Sequence, residues 1–229
     1  MKTRICLFLT LGALCVPVPW LEAQPAATAE DPQAAYRKVT QERAAKIVAT
    51  LDIADTNRAD RVRDVIAQQY QDLSRLHEAR DARIAEIEKQ SGEDKAAAEA
   101  AVQAARAESG AKADQLHAAY LAKLNAELTP EQVDKVKDGM TYGVAPLTYG
   151  VYLKMYPTMT DAQKKQVLAW LHEAREIAMD AGDSRGKHAV FGKYKGRINN
   201  YLVKEGYDLK QGERNLKASS QPATNPSTK

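Results

Sequence analysis

Along most of its length the chain repeats apolar residues at intervals of three, four and seven, with charged side chains filling the positions between them. That is the pattern of helices that bury one face. Val62, Ile66, Leu73, Leu76, Ile84 and Ile87 mark one such face from about Asp55 to Gln90, and Asp60/Arg63, Asp72/Arg75 and Arg83/Glu86 sit one helical turn apart beside it. Ser91 and Gly92 break the pattern, and Ser91 with Asp94 resembles a capping pair. An alanine-rich stretch follows to Leu128, with Val102, Leu116, Tyr120 and Leu124 on its inner side. Each arm is about 50 Å long at about 1.5 Å per residue, so the pair predicts a long antiparallel helical hairpin.

Shorter helices flank the hairpin. Pro32 suits the first turn of a helix to about Ala49, with Tyr36, Val39, Ile47 and Val48 on its sticky side. Thr129 with Gln132, and Thr160 with Gln163, are capping boxes that start two more, and a worn copy stands at Ile53 to Asn57. Gly143 and Pro146 end one helix, Pro146 opens a short one, and Pro157 terminates it. Helices are predicted from Asp161 to about Ala181, with Gly182 as C-terminal cap, and from about Ser184 to Glu205, with Gly206 after its end. The fold class is therefore all-α: a helical bundle over 32–209, in which 32–128 holds the first helix and the hairpin and 129–209 an aromatic-rich helical part. Residues 24–31 read as a linker and 210–229 as a disordered tail.

Composition adds an address. Lys2 and Arg4 precede the apolar run Ile5 to Val18, and Ala23 offers a small residue for cleavage, so 1–23 reads as a secretory signal. The run is roughly 14 residues, short of the roughly 20 that span a bilayer. No integral membrane segment is expected after cleavage, and the protein is expected in the periplasm or outside the cell. Both cysteines, Cys6 and Cys15, fall inside the signal. A lipoprotein anchor at Cys15 is disfavoured by the bulky Leu14 before it. The net charge of +3 is too slight for a nucleic-acid binder, which needs concentrated phosphate-neutralising side chains.

Candidate chemistry is sparse. Phosphate loops, nucleophile elbows and zinc spacings are absent. His172 and Glu176 sit a turn apart, but a metal site needs three or four ligands, so neither a metal nor a cofactor is expected. Glu173, Glu176 and Asp180 form an acidic stripe that suits glycoside cleavage, or that pairs with the stripe Lys193, Arg197, Asn200 and Lys204 on the last helix. The aromatics gather after Met140. Tyr142, Tyr149, Trp170, His188, Lys193, Tyr194, Arg197, Asn199 and Asn200 combine rings with planar polar groups, which suits sugar recognition and equally describes a core edge. Gly192 and Gly196, one turn apart inside a helix, each cost about 1 kcal/mol against alanine. Close packing of a neighbouring helix is the favoured justification, and approach of a ligand the other.

Thr141-Tyr-Gly-Val, Trp170-Leu-His-Glu-Ala-Arg-Glu176, Ala178-Met-Asp-Ala-Gly182 and Lys187-His-Ala-Val-Phe-Gly-Lys-Tyr-Lys-Gly-Arg-Ile-Asn-Asn-Tyr201 together resemble the domain of unknown function 3826 family of secreted bacterial proteins. The resemblance covers about Ala34 to Leu209. It implies an exported helical protein with a carbohydrate ligand and no catalytic residues to carry over. Leu128-Thr-Pro-Glu-Gln132 and Met159-Thr-Asp-Ala-Gln163 are similar to the Leu-Thr-x-x-Gln motif of periplasmic helical chaperones. The functional expectation is a non-enzymatic exported binding protein for carbohydrate. The alternatives are a chaperone-like protein holding a protein partner along the hairpin, and a carbohydrate-active enzyme.

Overall fold

The computed structural model describes residues 31–219 apart from Ser91 and Glu93, and every regular element among them is a helix. The expected signal, most of the linker and Ser91 of the capping pair lie outside the described residues. In chain order the helices are α1 (Pro32–Val48), α2 (Thr56–Gln90), α3 (Lys95–Glu127), α4 (Pro130–Met140), α5 (Val144–Met155), α6 (Asp161–Met179), α7 (Ser184–Lys204) and α8 (Leu209–Ser219).

Local chemistry accounts for most of the boundaries. Asp55 accepts from the amides of Asn57 and Arg58 at the start of α2. Asp94 accepts from the Ala97 amide at 3.0 Å to start α3. Thr129/Gln132 and Thr160/Gln163 are reciprocal capping boxes that begin α4 and α6. Each satisfies backbone donors that the first helical turn leaves open. At the end of α7, Tyr207 N–H donates to the Leu202 carbonyl and Gly206 N–H to that of Val203, with Gly206 at φ 94°. This is a Schellman ending, which needs a residue tolerant of the left-handed region.

α2 and α3 form the antiparallel hairpin: at its base Arg61 Nε donates to Glu127 Oε1 at 2.9 Å, although the two residues are far apart in sequence. Two hydrophobic cores lie beside each other. Ile47, Leu51, Ile66, Leu124 and Val136 build the first, from α1 to α4. Tyr152, Leu171, Phe191, Ile198 and Leu202 build the second, from α5 to α7. α6 serves both, since Ala174 and Ala178 enter the second core and Met179 the first. Burial of each large apolar side chain stabilises the fold by about 1.5–3 kcal/mol. The far end of the hairpin is different: beyond Leu73 no side chain of α2 is buried, and before Ser109 only Val102 of α3 is. Among the described residues no helix is long and apolar enough to cross a membrane.

Three expectations need correction. The chain from 210 to 219 is not a disordered tail but most of α8. Asn215 donates its amide to the Met155 carbonyl at 2.9 Å, and Gly212 lies so close to Tyr156 that an added Cβ would meet the phenol ring at 2.7 Å. These contacts with α5 come from distant sequence, so composition alone cannot reveal them. Gly182 does not end α6 in the left-handed region; Asp180 is the cap residue, and Gly182 makes room for the ring of His77, whose Cδ2 lies 2.9 Å from where a Cβ would stand. α5 begins two residues before Pro146, at Val144, because Tyr142 (φ 58°) and Gly143 (φ 65°) turn the chain first.

Candidate functional site

Two polar constellations stand on this scaffold. The first is a junction where α3 and α4 meet α6. His117 of α3 donates from Nδ1 to Asp180 Oδ2 at 2.8 Å, and its Nε2 lies 3.6 Å from Glu176. Lys137 of α4 donates to Glu176 at 2.8 Å. Arg175 is 4 % exposed and reaches Asp134 at 2.6 Å and Asp138 at 2.9 Å on α4. The hydrogen bonds to Asp180 and Glu176 raise His117 to about 9, against the desolvation that would lower it. Glu176 is desolvated too, yet His117, Lys137 and Arg175 together hold it down to about 2.

The same corner is closed by two further contacts. His77 of α2 donates from Nε2 to the Asp180 carbonyl at 2.7 Å, and its Nδ1 accepts from Arg80 at 2.8 Å. A carbonyl only accepts and a guanidinium only donates, so these partners set the tautomer. The buried Lys187 of α7 donates to the Ala178 and Met179 carbonyls, tying down the C-terminus of α6. Burial lowers its ammonium to about 8. A cleft of about 770 Å³ opens outside this corner, with His77, Arg80, Asp183, Arg185 and Ala189 on its walls. A smaller hollow of about 330 Å³ lies over His117, Glu176, Asp180 and the half-exposed Ile177.

Charges here answer charges. An acid catalyst for glycoside cleavage needs a carboxyl raised toward neutrality, and Glu176 moves the other way. His172 is exposed and takes no part. The acidic stripe thus splits: Glu173 faces α7, where Arg197 lies 3.5 Å away, while Glu176 and Asp180 face α3 and α4. The matching of whole stripes across α6 and α7 is corrected accordingly, since α6 is held from both sides.

The second constellation is the open side of α7. Tyr142 is half exposed, and its ring stacks on that of His188 with centroids 6.3 Å apart and planes inclined by 19°. A tyrosine at φ 58° occupies a region that bulky side chains avoid, so its surroundings must hold it there. The phenol of Tyr70 on α2 is pushed up to about 12, by burial first and by the Tyr142 phenol second. One turn along α7 from His188 comes Gly192, and another turn on Gly196. A Cβ added at either would meet nothing within 4 Å. The favoured justification for these glycines, close packing of a helix, is therefore overturned: they face open space.

The remaining candidates divide by position on α7. Trp170 is half buried, with the Arg197 guanidinium 4.5 Å from its ring centroid and Tyr201 against its edge at 5.2 Å. Tyr194 is buried and donates to Glu173 at 2.7 Å. Tyr194 and Arg197 of α7 thus lie where that helix meets Trp170 and Glu173 of α6, and their contacts are made within the protein. Asn199 accepts from the Tyr152 hydroxyl at 2.8 Å, and Tyr149 is half buried at the edge of the second core. Lys193 and Asn200 are exposed beside the glycines. The structure thus brings Tyr142 and His188 onto one open surface with Gly192 and Gly196, leaves Lys193 and Asn200 exposed at its border toward Arg197, and sets Trp170 and Tyr194 apart where α6 and α7 meet.

Sequence reasoning missed the junction. Arg175, Glu176, Asp180 and Lys187 stood inside the quoted motifs, but their partners are remote: Asp134 and Arg175 are 41 residues apart, His117 and Asp180 63. The available signal was Lys187, a lysine on the apolar stripe that Phe191, Tyr194 and Ile198 continue.

A family model described as a protein of unknown function (DUF3826) matches residues 37–221. No curated protein matches the chain.

Proposed function

The chain belongs to the DUF3826 family, and we propose that it is an exported, non-enzymatic binding protein that takes carbohydrate on the open side of α7. The observation that carries this is the exposed Tyr142–His188 stack continued by Gly192 and Gly196. A sugar ring lays its C–H face on an aromatic ring and gives its hydroxyls to planar polar groups. Tyr142 offers the ring, and Asn200 an exposed amide. The missing side chains at Gly192 and Gly196 let a ligand lie against the helix itself, which gives a reason for two residues that each weaken a helix by about 1 kcal/mol. Export rests on the signal-like sequence over 1–23.

Glycan-array screening followed by calorimetry on the mature protein tests this. Binding is expected to disappear in Tyr142→Ala and His188→Ala and to survive Trp170→Ala, whose ring Arg197 already covers. Binding that ignores Tyr142 and His188, or no binding to any glycan, defeats the proposal.

A second reading, a chaperone-like protein, draws on the far end of the hairpin, where α2 and α3 bury almost nothing. Suppression of client aggregation that survives Tyr142→Ala and vanishes when the hairpin is shortened would favour it.

A further inference from the structure

α7 carries six lysines and arginines, Arg185, Lys187, Lys193, Lys195, Arg197 and Lys204, and no carboxylate in its whole length. It contributes +6 to a chain whose total is +3, so everything else sums to −3, the difference between the two. The stretch from Gly139 to Thr160, which supplies Tyr142 and α5, is also free of Asp and Glu. Other helices interleave their cations with carboxylates: α2 pairs Arg63 with Asp60 and Arg75 with Asp72, and α3 pairs Lys112 with Glu108.

On α7 the six divide: Lys204 is exposed at the last turn, and the other five differ sharply in what they meet. Lys187 is consumed by the C-terminus of α6. Arg197 lies over Trp170 beside Glu173. Arg185, Lys193 and Lys195 are exposed and have no carboxylate partner among the described residues. At about 100° per residue, Arg185 and Lys195 fall within about 60° of Gly192 and Lys193 about 100° from it. These cations border the surface that begins at the Tyr142–His188 stack. Arg185 also stands on the wall of the 770 Å³ cleft, where Glu78, Asp81 and Asp183 balance Arg80 and Arg185, so the excess of positive charge lies beyond that mouth, along the glycines. Arg185 and Lys195 are about 15 Å apart along the axis, which calls for a ligand with repeated charges rather than a single anion.

We infer that this surface recognises an acidic polysaccharide, a glycan bearing carboxylate or sulfate groups, with Arg185, Lys193 and Lys195 answering its charges while Tyr142 and His188 hold its rings. The inference rests on the carbohydrate reading and adds the charge of the ligand. Lysines act as flexible point charges without the fixed fork of arginine, so carboxylate and sulfate are both accommodated. Exposed charges are screened, and binding should weaken as salt rises.

The test uses an array of uronate-bearing, sulfated and neutral oligosaccharides, followed by titration of the best acidic probe against its methyl-esterified or desulfated form. Duplex DNA and anionic phospholipid vesicles serve as further polyanions. The acidic probe is expected to bind about tenfold more tightly than its neutral form, and Lys193→Glu with Lys195→Glu to remove about that factor. Tyr142→Ala should abolish binding of both forms, with unchanged helicity and melting temperature as the check on folding. Equal affinity for the neutral form, or hits on neutral glycans alone, overturns the charge inference and leaves the carbohydrate reading standing. Hits on no glycan overturn both. Equal binding of DNA or vesicles, insensitive to Tyr142→Ala, overturns the inference by showing a surface that answers any polyanion.

Discussion

The junction of α3, α4 and α6 and the open side of α7 both draw on histidine, lysine and arginine, and treat them in opposite ways. At the junction every cation finds a carboxylate or a helix C-terminus: His117 meets Asp180, Lys137 meets Glu176, Arg175 meets Asp134 and Asp138, and Lys187 meets the last carbonyls of α6. On the open side of α7 the Tyr142–His188 stack is uncovered, and Arg185, Lys193 and Lys195 are exposed with no carboxylate partner among the described residues. A set of charges that closes on itself holds helices together. A set left open is available to something else. The contrast predicts that changes at the junction alter stability and leave binding by the folded protein intact, while changes on α7 do the reverse.

Arg175→Ala should produce the largest effect. It leaves Asp134 and Asp138 without their cation and opens a gap between α4 and α6. Loss of one partner of a buried pair costs about 3–5 kcal/mol, and because Asp134 is largely exposed the lower end, about 3 kcal/mol, is expected. Urea denaturation measures it. A loss below about 0.5 kcal/mol, the size of an ordinary surface change, would mean that the junction is as dispensable as a surface pair.

The pH profile of stability comes next. His117 is raised in the folded state to about 9. Its contribution is fully present below about 6.5 and is lost as pH rises through 9, for a change of order 2 kcal/mol after partial screening. Lys187 is lowered to about 8. Between about 8 and 10.5 the unfolded chain holds more protons on that residue, so stability recovers there with rising pH. Unfolding free energy should therefore fall from pH 6.5 to 8 and level off or turn upward above it. His117→Gln should remove the fall and Lys187→Met the recovery. On the acid side, Glu176 at about 2 keeps its contribution above about 4.5 and loses it as pH drops toward 2.

Glycine substitutions sharpen the comparison with smaller effects of opposite sign. Gly182→Ala places a Cβ 2.9 Å from the His77 ring and should destabilise by about 1 kcal/mol or more. Gly192→Ala enters open space in a helix interior and should stabilise by up to about 1 kcal/mol. If a ligand lies on α7, the second variant melts higher and binds worse. Tyr142→Asn belongs to the same class, since asparagine tolerates the left-handed backbone: stability should change little while binding is lost. Improved stability with undiminished binding in Gly192→Ala would leave the glycines without a functional reason.

What could be foreseen from sequence follows the range of each interaction. Both capping boxes and the hairpin come from spacings of three to seven residues, and they stand where they are expected. α8 was illegible because its stability depends on Tyr156 over Gly212 and on Asn215 reaching Met155, 60 residues away. The nine candidate residues could be gathered by composition, yet composition does not say which side of a helix each occupies. Periodicity separates His188, Gly192 and Gly196 from Tyr194 and Arg197, and only the packing of α6 decides which of those sides is covered.

Hydrogen–deuterium exchange with and without a saturating acidic oligosaccharide addresses the division most directly, because one experiment reports on both regions. Protection on binding should appear at 141–150 and along 184–200, with the amides of α4 and those near Arg175 unchanged. Protection confined to the hairpin and the α6–α7 corner, with none along α7, would contradict the assignment of binding to the open side and of stability to the junction.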